Sequence, residues 1–549
     1  VTNKAMEKTT ITKKDRQKWF ENNIWNDNER FSFFPTHKEV KKILTFNSNT
    51  MRKSLIFFAI ILATFAGNSQ IIPDFEPCIG SGGSSGLNNF RLLVAKSNDG
   101  MNWTRTNLVL SDRSSVADGL VLPSGRMLVY YVAGCIEVGG NEQPANHIKV
   151  AISDDFGKSW TYKNVQFNNL PSGGTLPVDP NVVLLSNGNI NMLVTIDPDQ
   201  TGSQKPCTYS ALSIDGGFTF TLSNTSVYSV SGTDVLDPEN FRFGSGNWKL
   251  WAGGIPGKNM FGLSTNEAIS FIDQGEFCSD TNVNNPSECY VTADVIQYDA
   301  STYKMYAFGT SPSGQVIRSL SSTDGDTWTL DPTVNLIVQP STGVEELDVW
   351  APTVLKLNDT SFIMVYETRI PSSASTTCTF FNILQGDTTI LVGDTLNLIA
   401  RTYFSDNSIR DITFFGTWHS TNPVIASVDN YGKLTALSQG ITYIYKTYNG
   451  VNSDSILITV NTLTQINNVK NNKSKPIIYP NPVSNELIIE VEDNYEKLNF
   501  EILNAIGQVV FKGNLVEKTI VQTSNFATGV YLIKLENGKT FEFKKIIKE

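Results

Sequence analysis

Ser97-Asn-Asp-Gly-Met-Asn-Trp103 returns with small changes as Ser153-Asp-Asp-Phe-Gly-Lys-Ser-Trp160, Ser213-Ile-Asp-Gly-Gly-Phe-Thr-Phe220 and Ser322-Thr-Asp-Gly-Asp-Thr-Trp328. In each copy the Ser and Asp oxygens can accept hydrogen bonds from turn amides, Gly takes a positive φ, and the aromatic packs beneath. Each copy therefore marks a tight turn between two outer strands of a sheet. The wide gap between the third and fourth leaves room for a degenerate copy, Ser264-Thr-Asn-Glu-Ala-Ile-Ser-Phe271.

Between these turns lie five apolar strand pairs. They are Asp118-Gly-Leu-Val-Leu with Met127-Leu-Val-Tyr-Tyr, Asp179-Pro-Asn-Val-Val with Ile190-Asn-Met-Leu-Val, Asp237-Pro-Glu-Asn-Phe with Trp248-Lys-Leu-Trp, Asp294-Val-Ile-Gln-Tyr with Tyr303-Lys-Met-Tyr, and Ala351-Pro-Thr-Val-Leu with Phe362-Ile-Met-Val-Tyr. With register positions 118, 179, 237, 293 and 351, the steps are 61, 58, 56 and 58 residues, one four-stranded blade per repeat. The pattern predicts an all-β chain headed by a β-propeller of five blades. Six blades are the alternative, if the short stretch 71 to 84 supplies another inner strand. Because an outer pair comes first and an inner pair last, the ring is expected to close within one blade, the C-terminal inner strands joining the N-terminal outer ones.

The repeated turn resembles the Asp box of sialidases and other propeller proteins, where it is a structural device remote from the active face. It therefore speaks to fold more than to chemistry.

At 549 residues the chain is too long for one core, and 40% hydrophobic with 17% charged residues reads as globular and multi-domain. A net charge of -10 argues against general attraction to nucleic acid, and no zinc-finger spacing, phosphate loop or dinucleotide fingerprint occurs. Met51-Arg-Lys-Ser, the apolar run Leu55 to Gly67 and Asn68-Ser-Gln70 have the layout of a secretory signal peptide, too short for a comfortable membrane span. Met51 is accordingly read as the start and residues 1–50 as a mistranslated or disordered leader, against the alternative of a cytoplasmic extension on a signal anchor. No transmembrane span is expected in the mature chain.

All six cysteines follow the signal: Cys78, Cys135, Cys207, Cys278, Cys289 and Cys378. An even count in an exported chain suits disulfides. Cys278 and Cys289 flank a polar loop they could clip, and Cys78 with Cys378 brackets the propeller, residues 71–384, and could staple its ends; the pairing stays open.

Past the propeller, residues 385–461 change to short alternating strands with turn signals, a β-sandwich pattern. Trp418-His-Ser-Thr-Asn-Pro-Val-Ile-Ala-Ser-Val-Asp429 followed by Gly432-Lys-Leu-Thr-Ala-Leu-Ser-Gln-Gly440 resembles a group 2 bacterial immunoglobulin-like domain, a module that commonly serves as spacer or stalk. A polar linker, 462–475, leads to a second small β-sandwich, 476–549. There Tyr479-Pro-Asn-Pro482, Leu503-Asn-Ala-Ile-Gly-Gln-Val-Val510 and Gly529-Val-Tyr-Leu-Ile-Lys534, with the basic run at Lys544 and Lys545, resemble the type A C-terminal sorting domain of the Bacteroidetes type IX secretion system. That resemblance implies handling by the type IX machinery and release from, or attachment to, the cell surface.

Histidine-based chemistry is poorly supplied, since only His147 of three histidines falls in the propeller, on an ordinary-looking outer strand. Carboxylates are better placed. The first strand of each blade lines the central channel, so Asp118, Asp179 and Asp237 are expected to converge on one mouth, with Glu239, two residues on, pointing to the same side. Two carboxyl groups across a cleft suit glycoside hydrolysis, one as acid and one as base or nucleophile. The same residue types also cap strand entries, a reading of nearly equal weight.

The arrangement resembles five-bladed glycosidases of the arabinanase and xylosidase type. By that resemblance Asp118 is the base, Asp179 the modulator and Glu239 the acid, with Asp237 as the alternative acid because the third blade reads Asp-Pro-Glu. Arg242, Asp294, Glu346, Asp348 and Trp350 are candidate substrate contacts at the same mouth, while Trp248 and Trp251 suit blade packing. No metal site or cofactor is expected; calcium has residue types to bind but no loop spacing to support it. The chain is thus read as a secreted carbohydrate-active propeller, a glycoside hydrolase on an extracellular glycan or polysaccharide. The alternatives are a non-catalytic glycan-binding or adhesive surface protein, and a sialidase, although Arg369-Ile-Pro371 follows the last box where sialidases carry that phrase before their first.

Overall fold

The computed structural model describes residues 71–549 apart from 81–88, 135–146, 245, 256–257, 265, 267–269, 279, 283–284, 313, 375–376, 463–475, 491–497, 506, 516 and 537–540. The expected leader, the signal peptide, nearly all of the linker and Cys135 lie outside the described residues.

The turn phrases fold as their residue types dictate. Ser97 Oγ donates to Asp99 Oδ1 (2.9 Å) and accepts from Gly100 N (2.9 Å), while Asp99 Oδ1 accepts from Met101 N and Asn102 N (2.8 and 2.7 Å). Ser153 with Asp155, Ser213 with Asp215 and Ser322 with Asp324 repeat the pattern. In the degenerate copy Asn266 replaces the aspartate and accepts from Ser264 Oγ (2.6 Å). Gly217 in the third turn has φ +100°, and a Cβ there would meet the Tyr130 hydroxyl of the preceding blade at 2.1 Å. Only glycine lets that turn seat on its neighbour, where Tyr130 donates to Gly217 O (3.0 Å).

Five antiparallel sheets of four strands follow one another. The first blade is Ser114–Val121, Met127–Ala133, His147–Ser153 and Thr161–Asn164; the second Val178–Leu184, Ile190–Ile196, Cys207–Ser213 and Thr219–Leu222, with Gln166–Asn168 added at its outer edge. The third is Leu236–Arg242, Trp248–Ile255, Lys258–Ser264 and Ile272–Phe277, and the fourth Val291–Gln297, Tyr303–Ser311, Gly314–Ser322 and Thr329–Ile337. The closing blade takes its inner strands, Glu346–Asn358 and Ser361–Arg369, from the C-terminal side and its outer strands, Phe90–Ser97 and Thr104–Asp112, from the N-terminal side. Its two halves zip together from Phe90 opposite Arg369 to Ser97 opposite Phe362. The expected closure is what the chain does. The inner strands pack in a ring, the last against the first, and the described residues 71–80 form no strand, so the six-bladed alternative falls.

Apolar cores lie between neighbouring blades. Tyr130 and Val132 of the first pack with Met192, Val194 and Phe220 of the second, all under 5% exposed. Trp248 and Trp251, 2% and 1% exposed, are buried blade residues.

Cys278 and Cys289 are disulfide-bonded across their loop. Cys78 is also bonded, but Cys378 and Cys207 are free thiols, so the expected Cys78–Cys378 staple is absent. Cys378 instead opens a strand, Cys378–Ile383, that pairs with Ala400–Phe404, and the ring is held by the strand pairing just described.

The Ig-like segment is welded to the closing blade. Leu108 pairs in parallel with Ile409, which carries the blade through into the strands Ile409–Asp411, Ala400–Phe404 and Cys378–Ile383. Arg410 Nη2 (2.5 Å) and Arg91 Nε (2.9 Å) both bind the buried Asp112 carboxylate, and Asp411 Oδ2 accepts from Trp160 N (2.6 Å). Its own core gathers Phe381, Leu398, Trp418, Leu434, Ile444 and Ile458.

The chain from Leu463 onward forms a separate compact unit. It has a three-stranded sheet, Ile477–Tyr479, Glu486–Glu490 and Lys518–Gln522, and a four-stranded one, Val509–Leu515, Leu498–Leu503, Gly529–Glu536 and Phe541–Lys548. Leu487, Ile489, Phe500, Val521 and Ile533 fill the space between.

Candidate active site

Bulges at the start of the inner strands set the channel's chemistry. Val116, Asp179, Asp237 and Ala351 all have positive φ (45°, 52°, 48° and 39°), each at a register shift in its strand. A left-handed residue inside a strand breaks the two-residue alternation, so Asp237 and Glu239 do not face the same way. The bulges also correct the repeat register: Asp118 corresponds to Asn181, Glu239, Asp294 and Thr353, whereas Asp179 and Asp237 correspond to Val116.

The expected single convergence of acids is therefore two sets. The deeper set is a belt in which each blade's side chain accepts the next blade's backbone amide. Val182 N donates to Asp118 Oδ2 (2.6 Å), Asn240 N to Asn181 Oδ1 (2.9 Å), Val295 N to Glu239 Oε1 (3.0 Å), Val354 N to Asp294 Oδ2, and Gly119 N to Thr353 Oγ1 (3.1 Å). Asn181 Nδ2 ties Asp118 (3.1 Å) to Glu239 (2.5 Å), and Thr353 Oγ1 donates to Asp118 Oδ1 (3.0 Å). One oxygen from each of Asp118, Glu239 and Asp294 lies within 4.8 Å of the others. Burial raises all three carboxyls, Asp118 to about 6, and for Glu239 the Asp294 and Asp118 charges add to it. Amides and side chains already bond to both oxygens of Asp118 and Glu239 and to Asp294 Oδ2. Beyond it the channel widens into a cavity of about 450 Å³ that Arg242 and Lys356 also line. Arg242 and Asp294, expected at the substrate mouth, belong to this deeper side.

The second set sits at the strand starts. Asp179 and Asp237 adjoin, Asp237 N pointing at Asp179 Oδ2 (3.4 Å), and Asp237 is exposed to solvent. Glu367, on the second strand of the closing blade, joins them. Its Oε2 accepts from Ser115 Oγ (2.6 Å) and Val116 N (3.0 Å), and it is 4% exposed. Desolvation by the surrounding blades, and then the charges of Asp179 and Glu367, push Asp237 up; burial pushes Asp179 up and takes Glu367 to about 7. Among the described residues none of these three carboxyls has an ion-pair partner. Beside Glu367, Asp348 is paired with Arg369 (2.9 Å), and Trp350 stands opposite Glu367 in the strand pairing, its ring against Phe90 (centroids 5.8 Å apart). Glu346 accepts from Ser372 N (2.6 Å). Glu367 was not among the candidates because it lies on a second strand; the polar break in Tyr366-Glu-Thr-Arg369, at the end of an apolar run, was the available signal.

Residues 477–549 match the family described as a secretion system C-terminal sorting domain, and residues 377–458 the bacterial Ig-like domain, group 2. The first marks the chain for type IX export as a secreted or cell-surface protein, and no described helix is long and apolar enough to cross a membrane. No curated protein is similar to the chain in sequence. Among solved structures, a protein of unknown function from Dyadobacter fermentans is 14% identical, covering 54% of this chain and 86% of its own, with a TM-score of 0.37. An alpha-L-arabinofuranosidase from Clostridium thermocellum is 13% identical over 54% of this chain and 93% of its own (TM-score 0.33). A family 117 glycoside hydrolase from Zobellia galactanivorans is 11% identical over 55% and 88% (TM-score 0.33). At these identities nothing about chemistry passes from them to this chain.

Proposed function

We propose that this exported chain is a glycoside hydrolase acting on an extracellular glycan at the mouth formed by Asp179, Asp237 and Glu367. The observation that carries the reading is the meeting there of three carboxyls from three blades, one of them open to solvent and all raised towards the protonated form. Glycosidic cleavage needs one carboxyl that keeps its proton near neutrality and another that is ionised. Left-handed non-glycine residues ring the same mouth, and such strain gathers at functional sites. Trp350 offers a face for a sugar ring, next to Asp348. Asp118 and Glu239, read from sequence as base and acid, serve in this reading to hold the blades together. A sialidase is less well supported, because the one arginine beside Glu367, Arg369, is occupied by Asp348.

The test is sugar release by the full chain from a panel of glycans and aryl glycosides, beside Asp237→Asn, Glu367→Gln and Asp118→Asn. The expected result is a loss of about 100-fold or more on the glycans in the first two, with Asp118→Asn losing stability while its folded fraction still turns over. Activity lost in Asp118→Asn alone would move catalysis to the belt. A folded protein that binds a glycan and releases nothing would make this a glycan-binding surface protein.

A further inference from the structure

Within this reading of the mouth as hydrolytic, we infer that Glu367 is its proton donor, a catalytic residue brought in from the second strand of the closing blade. The geometry separates its two oxygens. Oε2 is fixed by Ser115 Oγ and Val116 N of the neighbouring blade, whereas Oε1 makes no hydrogen bond among the described residues. A carboxyl held by one oxygen has the other in a defined place, free to present its proton. Val116 supplies its amide from a left-handed conformation (φ 45°) that a β-branched residue rarely takes. The strained bulge in the first blade thus has a use: where the second and third blades place Asp179 and Asp237, the first places an amide that anchors Glu367.

Burial favours its protonated form, the two anchoring hydrogen bonds from Ser115 and Val116 favour the ionised form, and the neighbouring charges add to burial. Asp348 on its own blade and Asp179 on the second both raise it, after burial; Asp237 on the third is raised by it in turn; and Arg369, two residues along, is committed to Asp348. In the reaction, the Glu367 proton goes to the glycosidic oxygen as the bond from that oxygen to the anomeric carbon breaks, the electron pair leaving with the oxygen. Water adds its oxygen to the anomeric carbon and gives its proton to the Asp179 or Asp237 carboxylate. That proton returns to Glu367 through solvent, and no oxidant or metal is needed.

The test compares Glu367→Gln with the unaltered full chain on aryl glycosides of graded leaving-group acidity and on an alkyl glycoside. A proton donor matters most when the leaving group is poor. The expected result is near-normal kcat/KM on the dinitrophenyl glycoside, a loss of about 100-fold or more on the alkyl glycoside, and disappearance of the alkaline limb of the pH profile. An equal loss on all substrates, or none, would overturn the assignment while leaving the hydrolase reading intact. If the unaltered chain cleaves no substrate, the hydrolase reading itself falls and the assignment with it. Should Glu367→Gln not fold, Ser115→Ala, which removes one hydrogen bond to the ionised form, is expected to move the alkaline limb to higher pH; an unmoved limb counts against the proposal.

Discussion

At the scale of single residues, the channel shows how the same residue type takes different work from its surroundings. Asp118 is buried, accepts Val182 N, Asn181 Nδ2 and Thr353 Oγ1, and sits near Glu239 and Asp294 with its carboxyl at about 6. A carboxyl raised by folding contributes stability that is whole below its unfolded value, near 4, and is lost as pH climbs through the folded one. Melting temperature is therefore expected to fall between about pH 4 and pH 6. Asp118→Asn should flatten that dependence, while costing about 1–3 kcal/mol because its amide nitrogen faces donors. Thermal melts across this range check both, and a profile unchanged by the substitution would remove Asp118 as its source. None of this was legible from Asp118-Gly-Leu-Val, which reads equally as a strand cap.

At the scale of elements, the bulge decides which acids meet. The sequence reading aligned Asp118 with Asp179 because both begin an apolar strand, and missed that Asp179 is itself the left-handed residue of its strand whereas Asp118 lies two residues past its own, Val116. Val116 offers no compositional sign of it: valine is a strand residue, and its positive φ is imposed by the neighbouring blade's Glu367 and by register. Val116→Gly keeps the amide and removes the Cβ conflict, offsetting the entropy cost of glycine, so stability should stay within about 1 kcal/mol of the original. The same change at Val129, fully buried on the second strand of that blade, should cost about 2–4 kcal/mol. Thr353→Val tests the belt: it strands Gly119 N and removes a donor to Asp118, an expected loss of about 1–3 kcal/mol. Chemical denaturation of the three variants gives the comparison, and a Thr353→Val protein as stable as its parent would mean that the belt is not holding the ring.

At the scale of the whole molecule, the Ig-like segment is not the free stalk that its resemblance suggested. Asp112 of the closing blade is shared between Arg91 and Arg410 with all three side chains at 4% exposure or less, and Asp411 holds Trp160 N of the first blade. The seam thus joins the Ig-like segment to the two blades on either side of the ring's closure. Arg410→Met leaves Asp112 half-paired in a buried site and is expected to cost about 3–5 kcal/mol. Calorimetry should show propeller and Ig-like segment melting together in the unaltered chain; two resolved transitions would show the seam to be weak.

Repetition made the fold readable. Four copies of a Ser/Asp turn with a fifth, degenerate one, and strand pairs returning at near-constant spacing, are local signals that survive in one dimension because every blade but the closing one is built from its own stretch of chain. Closure within one blade followed from the order of outer and inner pairs, and the Cys278–Cys289 clip from a short loop. The site did not follow, because it is made by residues about 60 to 250 positions apart whose directions depend on bulges. A single left-handed residue turns one carboxyl to the mouth and leaves another in the belt, and only the packed ring brings Glu367 across to Val116. Residue types and their periodicity specified the blades; backbone geometry fixed by contacts between blades decided which acids stand together.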